Sequence, residues 1–285
     1  MTNTLELVET ELQHARGANG VSYAYRRLGR MSQGVPLLFL QHFRGDIDNW
    51  DPALVDAVAA ERDVILFDNV GIGASSGAAP STVEDMAQGA IAFIEALGLA
   101  QVDLFGFSLG GFVAQAVALS RPAFVRRLIL AGTGPQGAPG MGAWSEDVAE
   151  RLVIKEQPGG EDVLYVFYAP TPSSQVAGQA SLGRIFQRQE GRDRGVTLEA
   201  KDAQYRAIVA WGEPDGQFGQ RLARIAQPTL ILQGDDDIMI PTSASHRLAE
   251  FIPDARITIF PDASHGSIFQ YAGEAASAAI AFLAE

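Results

Sequence analysis

Residues 102–120 read VDLFGFSLGGFVAQAVALS. The first six are apolar apart from Asp103, the pattern of a short strand buried on both faces. From Leu109 to Ser120 the pattern is helical, and Pro122 follows its end. Between the two lies Ser108, framed by Gly106, Gly110 and Gly111. A chain that leaves a buried strand and enters a helix this abruptly must turn sharply. Glycine tolerates both the torsions and the close backbone approach that such a turn demands. The turn would lift the Ser108 hydroxyl to the C-terminal edge of the strand, over the helix N-terminus, where the dipole favours developing negative charge. The plainer reading is a serine that merely caps a helix. The G-x-S-x-G spacing, set between strand and helix, argues against it.

Outward from this segment, short strands alternate with helices. Residues 5–12 and 21–28 read as two strands joined through Gly17 and Gly20, a hairpin. Residues 35–41 (VPLLFLQ) and 63–69 (DVILFDN) read as buried strands, with a helix over 52–61 that opens on Pro52. Ser81-Thr82-Val83-Glu84 has capping-box spacing for a helix that Gly98 stops. A further strand follows at 127–132. The rhythm then lapses until PTLILQ (228–233), a helix at 243–252, RITIF (256–260) and a last helix at 273–285. Alternation of this kind specifies an α/β fold with a doubly wound, mostly parallel sheet and flanking helices. The expected organisation is a core of residues 1–133 and 217–285, interrupted by a largely helical cap over residues 134–216.

Composition narrows the chemistry. The 285 residues carry a formal net charge of −13, which argues against nucleic acid or an anionic membrane as partner. The chain has no cysteine, so disulfides, thiolate catalysis and cysteine–zinc sites are excluded. The polar, acidic N-terminus is unlike a secretory signal, and no apolar run reaches membrane-spanning length. A soluble, cytoplasmic protein acting on a small molecule is the expectation, with oligomeric state left open.

A serine hydroxyl is a poor nucleophile until a base takes its proton. Four histidines are available: His14, His42, His246 and His265. His14 falls in the first strand region, His246 on a helix, and His42 at a strand end. His265 follows the last strand, at the same sheet edge as Ser108, and is the expected base. An acid should orient it, and Asp235-Asp236-Asp237 follows the penultimate strand. A solvated acidic turn is the bland reading for that run. Two amides complete the set as oxyanion donors: that of Leu109, after the serine, and that of Phe43, in the loop after VPLLFLQ.

Five stretches, in this order, resemble the α/β-hydrolase superfamily: LQHFRG its oxyanion loop, FDNVGIGASSG its D-x-x-G-x-G-x-S loop, GFSLGG the nucleophile elbow, QGDDDIMIP the acid loop and PDASHG the histidine loop. The resemblance spans nearly the whole chain. It implies an α/β-hydrolase fold with a Ser108–His265–Asp237 triad, Asp237 taking the acid's place in G-x-x-D-x-x-x-P. Phe43 departs from the glycine usual after the histidine. Arg44 is also uncommon there and is expected to pair with Asp46 or Asp48. The glycine loop after Asp68 does not fit a dinucleotide fingerprint, since Gly77 falls one position late and Pro80 interrupts. Asp68 is expected to fix that loop.

The functional expectation is hydrolysis of a small carboxylic ester through an acyl-serine, with no metal or organic cofactor. Lactone opening, carbon–carbon bond hydrolysis and perhydrolysis are alternatives on the same fold, as is a ligand receptor without catalysis. Expected substrate contacts are Arg44, Trp144, Phe167, Trp211 and Ile238. Tyr165, Tyr168 and Phe186 are further aromatic candidates, with packing inside the cap as the competing role for each.

Overall fold

The computed structural model describes residues 6–31, 34–142 and 144–285. Eight strands form one sheet: β1 (Gln13–Arg16), β2 (Ser22–Gly29), β3 (Leu37–Leu40), β4 (Asp63–Phe67), β5 (Val102–Phe107), β6 (Val125–Ala131), β7 (Thr229–Gly234) and β8 (Ala255–Phe260). Their order is β1-β2-β4-β3-β5-β6-β7-β8. β1 and β2 pair antiparallel, as do β2 and β4. All pairings from β4 across to β8 are parallel. The apolar runs that mark β3, β4, β5 and β7 are buried throughout, because helices cover both faces of a parallel sheet. Phe39 of β3 stacks on Phe105 of β5 at 4.7 Å, and Trp50 meets Phe39 edge-on at 5.0 Å.

α1 (Pro52–Ala59) packs against α11 (Ala272–Ala284), and α2 (Val83–Ala96) against α3 (Leu109–Ser120). From β3 the chain passes to β4 on one side and then to β5 on the other. The strand order therefore reverses at β3, and a doubly wound sheet opens a crevice beyond its strand ends at such a point. The loops after β3 and β5 both lie there. Between β6 and β7 come α4 (Glu146–Ala149), a π-helical turn over Glu150–Ile154, α5 (Gly160–Phe167), α6 (Pro172–Ile185), α7 (Leu198–Gly212) and α8 (Phe218–Leu222). No strand interrupts this stretch among its described residues. α9 (Thr242–Phe251) and α10 (Ser267–Gln270) complete the chain order. No helix among the described residues is long and apolar enough to cross a membrane.

Two expectations are corrected. Leu5 lies outside the described residues, and the rest of 5–12 is not a strand. A 3₁₀ turn occupies Leu7–Glu9, and pairing begins only at Gln13. The Leu7 amide is taken by the Asp56 carboxylate at 2.7 Å, and Arg188 binds the carbonyls of Leu7 and Thr10. Side chains distant in sequence thus satisfy backbone that a sheet would otherwise pair. The second correction is a cap one residue later. Thr82, not Ser81, accepts the Asp85 amide at 3.1 Å and donates to the Asp85 carboxylate at 2.7 Å.

The turn into α3 is held by close approach. A methyl group on Gly110 would overlap the carbonyl of Leu40, and one on Gly106 would stand 2.5 Å from the carbonyl oxygen of Gly110. Polar groups fasten the stretch between β6 and β7 to the sheet. Buried Asp51 caps α1 through the Ala53 amide and receives Arg184 and Ser181 of α6 at 2.6–2.9 Å. Asp48 accepts the Asp193 amide at 2.6 Å and lies near Arg26 and Arg188. Asp46 and Asp68 share this region. Burial, helped by neighbouring Asp193 and Asp48, pushes the Asp46 carboxyl up to about 6. Burial and Asp193 hold Asp68 well above the usual carboxylate range.

Gly110→Ala should cost more than about 3 kcal/mol or abolish folding, because the collision is with backbone. Gly183→Ala, in α6 with open space around it, should raise stability by about 0.5–1 kcal/mol. Chemical denaturation of both variants checks the contrast. A second outcome follows from Asp46. The folded chain keeps this proton to about pH 6, whereas the unfolded chain releases it near 3.8. Its stabilising contribution is present at low pH and is lost as pH rises through about 6. Asp46→Asn, still able to accept the Asp48 amide, should escape that loss. Its stability relative to the parent should rise between pH 4 and pH 7, by at most about 3 kcal/mol. A difference independent of pH would refute this account.

Candidate functional site

Ser108 joins β5 to α3 with φ 54° and ψ −119°, a torsion pair that side chains rarely adopt. The surroundings impose it. The Ser108 amide donates to the carbonyl of Ala131 at 2.9 Å, and its carbonyl accepts from Thr133 Oγ1 at 2.9 Å and from the Gly111 amide at 2.8 Å. Both neighbours of the turn are thereby pinned to the end of β6. Ser108 lines a cavity of ≈520 Å³ together with His265, His42, Phe43, Arg44, Phe167 and other residues.

His265 sits in the turn after β8, almost wholly buried. The Gly266 amide donates to the carbonyl of Phe167 at 2.7 Å, and Ser264 Oγ to that of Val166 at 3.1 Å, so α5 fixes this turn. His265 Nδ1 lies 2.8 Å from Asp237 Oδ2. Asp237 leaves β7 and has every lone pair engaged. Its Oδ1 accepts the amides of Met239 and Ile240 at 2.8 and 2.9 Å, and its Oδ2 also accepts Gln233 Nε2 at 3.0 Å. A carboxylate so satisfied holds the imidazole with its proton on Nδ1 and leaves Nε2 as the free nitrogen. His265 Nε2 has no hydrogen-bond partner among the described residues. The other two aspartates are exposed, and Asp235 Oδ1 accepts the Ala263 amide at 3.1 Å. His14 and His246 are also exposed.

The loop after β3 turns tightly. The Gly45 amide donates to the carbonyl of His42 at 3.1 Å, and Arg44 takes φ 62° at the position where such a turn favours glycine. Arg44 does not pair with Asp46 or Asp48. Its guanidinium donates to the carbonyls of Leu152, Lys155 and Glu156 at 2.5–3.0 Å, and its amide donates to Gln204 Oε1 at 2.9 Å. Five fixed N–H donors suit the cluster of carbonyls at a helix end better than one carboxylate would. The amides of Phe43 and Leu109 have no acceptor among the described residues. Both residues are buried, on the two loops that flank the strand-order reversal.

The other expected contacts divide. Phe167, Tyr168 and Phe186 line the cavity. Trp211 does not. It stacks on Phe112 at 5.0 Å, and its Nε1 donates to the carbonyl of Gly134 at 3.2 Å, so it is core. Trp144 packs on Phe43 and Tyr205, behind the cavity wall. Ile238 and Tyr165 belong to a separate surface groove. Asp68 Oδ1 accepts the Ile47 amide at 3.0 Å, and its carbonyl accepts Ser75 Oγ at 2.7 Å, so it joins two loops. His42, expected at a strand end, lies in the loop after β3, while Gln233 and Gln204 carry no mark in the sequence of the carboxylate and amide they support. A side-chain amide carries no periodic signal, whether at the end of β7 or within α7, and only the neighbours reveal its partner. Among the described residues no group of three or more acidic, histidine or cysteine side chains could hold a metal ion.

This arrangement has parallels. A sequence model of the alpha/beta hydrolase fold matches residues 35–271. An alpha/beta hydrolase fold protein from Chitinophaga pinensis superimposes with a TM-score of 0.92 and 36% identity, over 98% of this chain and 99% of that one. The 2-hydroxy-6-oxononadienedioate/2-hydroxy-6-oxononatrienedioate hydrolase 2 of Pseudomonas putida is 30% identical over 79% of this chain and 78% of its own length. A non-heme haloperoxidase of Rhodococcus erythropolis is 29% identical over 87% of this chain and 91% of its own. With the sheet order, the strand-to-helix turn at Ser108 and these matches together, the chain belongs to the alpha/beta hydrolase fold family.

Proposed function

We propose that this hydrolase cleaves a small carboxylic ester through an acyl-serine formed on Ser108. The observation that supports this most is the 2.8 Å contact between His265 Nδ1 and a fully engaged Asp237, with Nε2 unpartnered beside the cavity that Ser108 lines. Ser108 Oγ would attack the ester carbonyl carbon while His265 Nε2 takes its proton. Asp237 stabilises the imidazolium that forms and keeps the ring in the working tautomer. The negative oxygen of the tetrahedral intermediate would meet the amides of Phe43 and Leu109, two donors without an acceptor among the described residues. His265 then returns the proton to the departing alkoxide, and water repeats the sequence to release the acid. Residues 134–216 act as a cap in this reading. Their Phe167, Tyr168 and Phe186 contribute apolar wall, which suits an apolar or aromatic acyl group.

The relatives name other reactions of this fold, one a hydrolase of a dienedioate and one a haloperoxidase. A screen across short esters, lactones, vinylogous diketones and peracid formation therefore accompanies the main test. A fluorophosphonate that labels Ser108 alone, with ester turnover, supports the proposal. A protein that binds ligands but neither labels nor turns over would be a receptor.

Ser108→Ala should fold and lose hydrolysis by roughly 10⁴-fold or more; a variant keeping a tenth of the rate would remove Ser108 from this role. Asp237→Asn should lower turnover by up to about 10⁴-fold, whereas Asp235→Asn and Asp236→Asn should remain within severalfold of the parent. One assay on all three decides the acid, and a dead neighbour beside an active Asp237→Asn would move it.

A further inference from the structure

His42 has no part in the proton transfers above, yet it stands in the same cavity as Ser108 and His265. The two histidines lie against the same pair of rings. His42 is 5.3 Å from Phe107 and 5.2 Å from Phe167, and His265 is 5.1 and 5.3 Å from them. His42 Nδ1 is 2.8 Å from the carbonyl oxygen of Phe43. A carbonyl can only accept, so Nδ1 carries the hydrogen and Nε2 presents a lone pair. Burial pushes the His42 imidazole down to about 4, reinforced by the nearby His265, so the ring is neutral near neutral pH. No hydrogen bond links Nε2 to the described residues, and it is not sealed away as a buried orphan. The cavity wall includes Phe43, Leu152, Phe167, Met239 and Phe269, and also the polar Ser108, Asn49, Tyr168 and Arg192, none of which is hydrogen-bonded to His42 Nε2. The rings packed on His42, those of Phe107 and Phe167, cannot donate a hydrogen bond to it.

We infer that His42 Nε2 accepts a hydrogen bond from the substrate, so that the site selects esters bearing a hydroxyl or N–H donor close to the scissile bond. The inference rests on Ser108 being the nucleophile. The physical basis is asymmetry. A substrate with a matching donor replaces the water that Nε2 would otherwise hold. A substrate without one displaces that water and leaves the lone pair unmatched beside the Phe107 and Phe167 rings.

The test compares kcat/KM for two matched pairs: phenyl 2-hydroxypropanoate against phenyl propanoate, and 2-hydroxyethyl butanoate against propyl butanoate. The parent enzyme should favour the hydroxylated member of at least one pair by about tenfold or more. His42→Asn keeps a donor for the Phe43 carbonyl but has nothing where Nε2 stood, and its ratio should fall toward one. His42→Gln carries an amide oxygen out to that position and should retain part of the preference, although it gives up the Phe43 bond. A purely structural role predicts the opposite order, with Gln the damaged variant and the ratio unmoved in both. Absence of preference in the parent for either pair overturns the inference whatever the variants do. Fluorophosphonate labelling of Ser108 in the same preparations separates the failures. Labelled serine without hydroxyl preference removes His42 alone, whereas unlabelled serine without turnover removes the ester reading beneath it.

Discussion

The strained backbone of Ser108 is the constraint around which the rest is arranged. A residue with a side chain at φ 54° and ψ −119° sits in a region that costs on the order of 1–3 kcal/mol to occupy. It persists because its peptide groups are bonded to β6 and because α3 runs so close to β3 that Gly110 can carry no side chain. Those contacts come from strands on either side of β5. The parallel sheet is thus the clamp that keeps the torsion, and the torsion is what turns the hydroxyl out of the helix and into the cavity.

The polar network is graded in the same direction. Asp237 has four donors and lies almost wholly inside the protein, so the ring it orients has little freedom. Farther from Ser108, Asp51 and Asp48 use arginines to tie α6 and the segment after it to the connection between β3 and α1. Isolated surface ion pairs contribute little, but these carboxylates are buried. Removing one partner would strand a charge in a poorly solvated place. Such ties fix where the helices between β6 and β7 sit more than they add to net stability.

Much of this was legible in the sequence because it depends on local rules. Continuous apolar runs mark β3, β4, β5 and β7, since strands covered on both faces need no alternation. Ser108 was legible because strand, turn and helix follow one another within a few residues. What escaped has distant causes. Leu7 lies in a short run of apolar and acidic residues that reads as a strand, but its amide is claimed by Asp56, 49 positions away. Ser81 and Thr82 offer the same spacing to an acid three residues on, and the local pattern cannot choose between them. Trp211 had the composition of a pocket residue and the surroundings of a core residue. Stacking on Phe112 decided the matter, and no periodicity encodes that contact.

Arg44 has a mechanical consequence. Its backbone belongs to the turn that presents the Phe43 amide, and its guanidinium grips three carbonyls at the end of the π-helical stretch over the cavity. Lifting residues 152–156 would strip those carbonyls of their cation and leave the arginine in an unfavourable torsion with its brace removed. The turn after β3 and the end of the π-helical stretch are thus fastened to each other through one side chain. One residue therefore carries both the left-handed bend of the loop and the brace of the helix end above it, and any displacement of either segment would cost the same three hydrogen bonds.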